Sequence, residues 1–205
     1  RAAHLDDQHA VRRQIRNAER DIEYSTRRIA EIGQDIERRI PTAGEAFAMT
    51  VAVQSFTERK LAGRALMKEI MTLVHLREEG DKIIAAIGGF DLVFAGERYG
   101  RDDFRYEVTL ARTGTDTEID LALTVTPLGA IARIEHLLAG FEDERAQHRF
   151  RLDDANRRLA SYQSRTGGDF GFEEELAGKR RQLAAIEADL AGDVMREAMA
   201  AEKAA

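Results

Sequence analysis

Only two prolines, Pro41 and Pro127, interrupt this 205-residue chain, and a heptad seam leads up to the first and resumes after the second. Proline lacks a backbone donor and clashes with the preceding helical turn, so each marks a place where a helix stops or starts. Before Pro41, Val11, Ile15, Ala18, Ile22, Ser25, Ile29, Ile32 and Ile36 recur at alternating spacings of four and three, with Arg, Glu, Asp and Gln between them. That is the pattern of a helix that buries one narrow stripe against a partner.

After Pro127 the seam continues through Ile134, Leu138, Phe141, Arg145, His148, Leu152, Ala155, Leu159 and Tyr162. Two readings of its polar members stand side by side. The stems of Arg145 and His148 pack while their heads reach water, or the two form a buried polar pair that fixes register. The run Arg165-Thr166-Gly167-Gly168-Asp169 then breaks the helix, and Glu173, Glu174 and Glu175 suit the positive amino-terminal end of another. The stripe of that third helix is Leu176, Leu183, Ile186, Leu190 and Val194.

The region between the prolines changes period. Phe47, Met49, Val51 and Val53 alternate with small or polar residues as in a half-buried strand. Thr57 is placed to cap a helix through Leu61, Leu66, Ile70 and Leu73. Three more strands are expected over about Ile83 to Ala95, Phe104 to Ala111 and Glu118 to Val125.

The expected fold is therefore α+β. A β-α-β-β-β domain (41–127) sits at the tip of a stalk of long antiparallel coiled-coil helices (1–40, 128–165 and 172–205). The two flanking helices, each of about 36 residues, would span about 54 Å. A homodimer built through the same helices stays open, because heptads alone do not distinguish it from an intramolecular stalk.

Composition narrows the function. Charged residues make up 33% of the chain and aromatics only 6%, which suits solvated helices better than one thick core. The net charge is -6, so no overall positive field draws in nucleic acid or an anionic membrane. The absence of cysteine excludes disulfides and thiolate chemistry and agrees with a cytoplasmic setting. No apolar run reaches the roughly 20 residues that a membrane helix needs. A start at Arg1 reads as a piece of a longer chain, with trimming of the amino terminus as the alternative.

The motif search yields no catalytic, cofactor or metal residues. Gly88-Gly89 precedes Phe90-Asp91-Leu92-Val93, which reads as strand, so the pair marks a bend or bulge rather than a phosphate loop. His4 and His9 are five apart, a poor helical chelate. Glu118 and Asp120 share a strand face with solvent, opposite Ile119 and Leu121. Only five residues are lysine, and ten basic residues face fourteen acidic ones between Thr42 and Thr126. One turn there, Glu97-Arg98-Tyr99-Gly100-Arg101, combines two guanidiniums with an aromatic ring and could clamp or stack on a nucleic-acid strand; a plain hairpin loop is the alternative. Arg98, Tyr99 and Arg101 are the candidate nucleic-acid contacts.

Five stretches together resemble a known family. They are Pro41-Thr42-Ala43-Gly44-Glu45-Ala46-Phe47-Ala48-Met49-Thr50-Val51, Thr57-Glu58-Arg59-Lys60-Leu61-Ala62-Gly63, Gly88-Gly89-Phe90, Thr124-Val125-Thr126-Pro127-Leu128-Gly129-Ala130-Ile131-Ala132-Arg133-Ile134-Glu135, and Phe172-Glu173-Glu174-Glu175-Leu176-Ala177-Gly178-Lys179. Their order is similar to the carboxy-terminal region of the large helicase and adenine-specific DNA methylase fusion proteins of bacterial conjugative plasmids and integrative elements, akin to strawberry notch-type helicases. The resemblance implies a cytoplasmic bacterial protein whose motor and methylase domains lie elsewhere. Neither a GxxxxGK[ST] loop nor a methylase Pro-Pro motif is present in this chain, so no family catalytic residue carries over. The expectation is a non-enzymatic accessory module that positions those domains, or an associated protein, relative to DNA. Direct DNA recognition by the tip is the alternative.

Overall fold

The computed structural model describes residues 2–100, 103–166, 175 and 177–184. The chain divides into two compact units, one of Glu19–Asn156 and one of Arg1–Ala18 with Arg157–Ala205. It is a mixed α and β protein with an antiparallel sheet. The elements run α1 (Ala2–Arg38), β1 (Met49–Val51), β2 (Gln54–Phe56), α2 (Arg59–Leu76), β3 (Gly80–Ile87), β4 (Phe90–Tyr99), β5 (Asp103–Leu110), β6 (Thr117–Glu118), α3 (Pro127–Ala139) and α4 (Phe141–Thr166).

In the larger unit the six strands are ordered β2-β1-β3-β4-β5-β6, each antiparallel to its neighbours. Alternation divides the sheet into two unlike faces. Phe90, Leu92 and Phe94 of β4 are buried, as are Val108 and Leu110 of β5 and Met49 and Val51 of β1. They join one core with Ile32 of α1, Leu66 and Ile70 of α2, Ile131 and Ile134 of α3, and Phe141 of α4. The helices α1, α2, α3 and α4 thus each contribute to one apolar layer, and the opposite sheet face carries Asp91, Val93, Ala95 and Glu97.

The strand plan departs from expectation in three places. The run Ile83 to Ala95 is two strands, because Gly88 and Gly89 have φ values of 61° and 85° and make a two-residue hairpin turn. Two successive positive φ angles suit glycine and match the right-handed twist of paired strands. The first strand likewise folds back on itself: Ala52, at φ 51°, and a fully exposed Val53 turn the chain from β1 into β2. The strand expected over Glu118 to Val125 pairs only through Thr117 and Glu118. The alternation persists beyond it, with Ile119 and Leu121 buried and Glu118 and Asp120 exposed.

The helix boundaries differ in similar detail. The residue flanking α2 is Glu58, with no side-chain cap, so Thr57 is not used as expected. Thr126 does cap α3, its hydroxyl accepting from Gly129 N at 3.1 Å with Pro127 in the first turn. The helix expected over 128–165 is interrupted at Gly140, whose backbone N–H donates to His136 and Leu137 carbonyls at 3.0 and 3.1 Å. Gly63 of α2 lies so close to α3 that a Cβ there would be 2.1 Å from the Pro127 carbonyl oxygen.

In the smaller unit, Val11 and Ala18 of α1 are buried and Ile15 is half-buried. Residues 177–184 are helical, and Lys179 pairs with Glu175 at 3.1 Å. Leu183, expected on an apolar stripe, is 58% exposed. The expected helix break at Gly167-Gly168-Asp169, and Leu176, Ile186, Leu190 and Val194, lie outside the described residues. Among the described residues no helix is long and apolar enough to cross a membrane.

Candidate functional site

Arg98 and Tyr99 end β4 at its turn into β5, where Gly100 has φ 70°. Arg98 Nε donates to Glu79 Oε1 at 2.9 Å, with both side chains at least half exposed, so its charge is locally balanced. Tyr99 is 58% exposed, and the Arg105 guanidinium carbon lies 4.8 Å from its ring centroid. That stack was not foreseen from sequence, although Arg105 stands opposite Glu97 in the register. Arg101 lies outside the described residues. Exposed Glu97 and Asp103 border the turn, and both oppose a phosphate backbone.

A more tightly built arrangement lies at the end of α1. Arg38, the last residue of that helix, and Arg39, just beyond it, point to different elements. Arg38 donates to the Ala111 carbonyl at 2.8 Å, and its guanidinium carbon lies 4.1 Å from the Phe90 ring centroid. Arg39 donates to the Leu138 carbonyl and makes a two-pronged pair with Glu142. Hydrogen bonding from Arg39 is the main cause that holds the Glu142 pKa below its ordinary value.

Beside that pair, residues 40–44 border a cleft of about 540 Å³. Arg59 closes its other side, donating to both Glu135 oxygens at 2.8 to 3.2 Å and to the Thr42 and Gly44 carbonyls at 2.7 and 3.2 Å. Its guanidinium carbon also lies 4.7 Å from the Phe47 ring centroid. Both arginines of the cleft are therefore engaged by carboxylates and carbonyls, which suits bracing the loop more than capturing an anion.

Deeper in the same unit is a buried ionic network. Arg112, in the loop between β5 and β6, gives Nε to Asp35 Oδ2 at 2.9 Å and Nη1 to Glu144 Oε2 at 2.8 Å and Thr117 Oγ1 at 3.0 Å. Its guanidinium carbon lies 4.3 Å from the Phe141 ring centroid. Asp35 Oδ1 accepts from the Thr113 backbone N–H at 3.0 Å. Glu144 Oε1 accepts from Arg28 at 3.0 Å, and Arg28 reaches Glu31 at 2.7 Å. Gly114 allows the loop this close, since a Cβ there would be 2.2 Å from the Glu31 carboxyl carbon.

The pairs Tyr24 with His148, Arg28 with Glu144 and Arg39 with Glu142 set α1 antiparallel to α4 over this stretch. His148 is only 5% exposed, its ring edge-on to Tyr24 at 5.7 Å between centroids. Burial is the main cause of its lowered pKa; the Arg151 and Arg28 charges add to it and Glu144 opposes it. Of the two polar seam residues, His148 is interior and Arg145 half-buried.

The sequence reading missed Arg28, Asp35, Glu144 and Arg112. A signal existed in α1: Arg28 and Asp35 are seven apart and each precedes a seam isoleucine. Among the described residues no group of three or more His, Cys, Asp or Glu is placed to hold a metal ion. No protein-family model, curated protein or solved structure matches the chain.

Proposed function

We propose that this chain is a non-catalytic accessory module of a larger DNA-acting protein, one that holds motor and methylase domains, or an associated protein, at a set position relative to DNA. Its helices would serve as a coiled-coil stalk, with the sheet domain inserted at the tip. The family setting rests on the sequence resemblance. The observation that carries the mechanical part is the network joining Asp35, Arg112, Glu144 and Arg28. It ties α1, the β5–β6 loop and α4 together through three contacts, each of which joins a different pair of these elements. Buried ion pairs gain little net stability, because desolvation offsets their attraction, but an arrangement that separates the partners leaves an uncompensated buried charge. A positioning module needs that selectivity of geometry.

The test uses the lack of native cysteine. Spin labels on Glu23→Cys in α1 and Asp81→Cys in β3 should give one narrow distance distribution by double electron–electron resonance. Replacing Arg112 by Met should broaden it. An equally broad distribution in the unsubstituted chain would contradict a positioning role.

The second reading, DNA contact through the tip, draws on the exposed Tyr99–Arg105 stack. It requires salt-sensitive binding that is lost when Arg98 and Arg101 become Ala. On the positioning reading, duplex DNA binds no more tightly than roughly 10⁻⁴ M at physiological salt and the double substitution changes nothing. Fluorescence anisotropy at two salt concentrations separates the two.

A further inference from the structure

The sheet face turned away from the helices is defined by register. Ile83, Val93, Thr109 and Glu118 form one row across β3 to β6, and Asp81, Ala95 and Glu107 form the next. Asp91, opposite Ala86, closes one side; Glu97, Tyr99 and their partners Arg105 and Asp103 continue the other. Ile83 stands at the centre at 67% exposure because the bulge between Ile83 and Ala85 turns Ile84 and Ala85 to the core and Ile83 outward.

The charge on this face is one-sided. Among the described strand residues it carries six exposed carboxylates, on Asp81, Asp91, Glu97, Asp103, Glu107 and Glu118, against the single guanidinium of Arg105. Five of the six net negative charges of the chain are thus accounted for here. A merely solvated face would explain carboxylates, but sheets ordinarily mix signs across neighbouring strands, since like charges repel there. Nor does solvation explain why Ile83 and Val93 occupy the centre. An apolar middle bordered by charge of one sign is the make-up of a protein docking surface, and it repels phosphate.

We infer that the outer face of this sheet docks a Lys- and Arg-rich amphipathic protein segment. Apolar side chains of the segment would cover Ile83 and Val93, and its cations would meet Asp81, Asp91, Glu107 and Glu118. This rests on the positioning reading and names the kind of partner positioned.

The probe is a fluorescein-labelled peptide of about 18 residues, with Leu at helical three-four spacing and Lys elsewhere, titrated against the full chain. Asp81→Lys with Glu107→Lys should weaken binding at least about tenfold, Ile83→Ser about fivefold, and raising salt from about 0.05 to 0.3 M should weaken it further. Should the charge-reversed chain fail to fold, as read by circular dichroism, Asp81→Asn with Glu107→Gln is expected to give a smaller loss in the same direction. Undiminished binding by a folded variant would overturn the proposal. Equal binding of a sequence-scrambled peptide of the same charge would do so as well, since only bulk charge would then be at work. A dimer in sedimentation velocity that Ile83→Ser dissolves would assign the face to a second copy and equally overturn it. The spin-label distances are measured without peptide, so failure here leaves the positioning reading standing or falling on its own.

Discussion

Asp35 and Arg112 are 77 residues apart in sequence and meet at 2.9 Å, with 0% and 2% of their side chains open to water. Neither is surplus to the other. Removing Arg112 leaves a buried carboxylate facing one backbone donor, and removing Asp35 leaves a guanidinium with Glu144 alone as its ionic partner.

Arg112→Met should therefore cost about 3 to 5 kcal/mol in urea unfolding, as expected when one member of a buried pair is deleted. The double variant Asp35→Leu with Arg112→Met should recover much of that loss, because the second substitution removes the uncompensated charge. Additive losses would show that the two residues act independently.

His148 should make the folded protein sensitive to acid. Its folded pKa is lowered by burial, with Tyr24 and Arg28 of α1 and Glu144 and Arg151 of α4 around it. Below the unfolded value of about 6.5, the unfolded chain takes up a proton that the folded chain resists. Stability should fall with decreasing pH in that window by up to about 1.4 kcal/mol per unit, stopping once the folded pKa is passed. Above it histidine is neutral in both states and adds no slope. Denaturation midpoints between pH 5 and 7 should flatten in His148→Leu; an unchanged slope would locate the effect elsewhere.

Ile32 and Ile29 look alike in sequence but differ in place. Ile32 is fully buried in the main core, whereas Ile29 is half-buried. Ile32→Ala should cost about 2 to 5 kcal/mol, and Ile29→Ala distinctly less. Equal losses would mean that the seam read from the heptads, and not the face set by the core, governs the packing of α1.

Two helical glycines separate space from crowding. A Cβ on Gly33 meets nothing within 4 Å, so Gly33→Ala should stabilise by about 0.5 to 1 kcal/mol through helix propensity. Gly63→Ala places its methyl against the Pro127 carbonyl and should cost about 1 to 3 kcal/mol by forcing α2 away from α3. Thermal unfolding of both variants checks the opposite signs.

What the sequence disclosed follows the range of each signal. Helical periodicity and proline are local, so the end of α1 near Pro41 and the start of α3 at Pro127 were legible. The alternation of Ile119 and Leu121 with Glu118 and Asp120 also marked which of these four residues are buried. Turn chemistry is less legible: Gly88-Gly89 reads as a bend or bulge inside one strand because the apolar character of Ile87 and Phe90 continues across it. The network was not legible at all. Arg28 and Asp35 sit on the core flank of α1 where a heptad reading expects Ile29 and Ile36, because Glu144 and Arg112, 116 and 77 residues away, complete the site. Arg98 and Tyr99 were identified as a pair, but Glu79 and Arg105, their actual neighbours, come from other strands or loops.

The Gly88-Gly89 turn also sets where this fold can change length. It abuts the end of α1: Ile40 N–H donates to the Gly88 carbonyl at 3.0 Å, and a Cβ on Gly89 would lie 2.8 Å from the Arg38 carbonyl oxygen. At the other end of β4, a Cβ on Gly100 meets nothing within 4 Å. An inserted residue at the first turn would have to displace a helix terminus, whereas one at the second extends into solvent. Length variation among descendants of this sequence should accumulate after Tyr99 and be purged at Gly88, and a grafted loop, epitope or circularly permuted terminus belongs at the former.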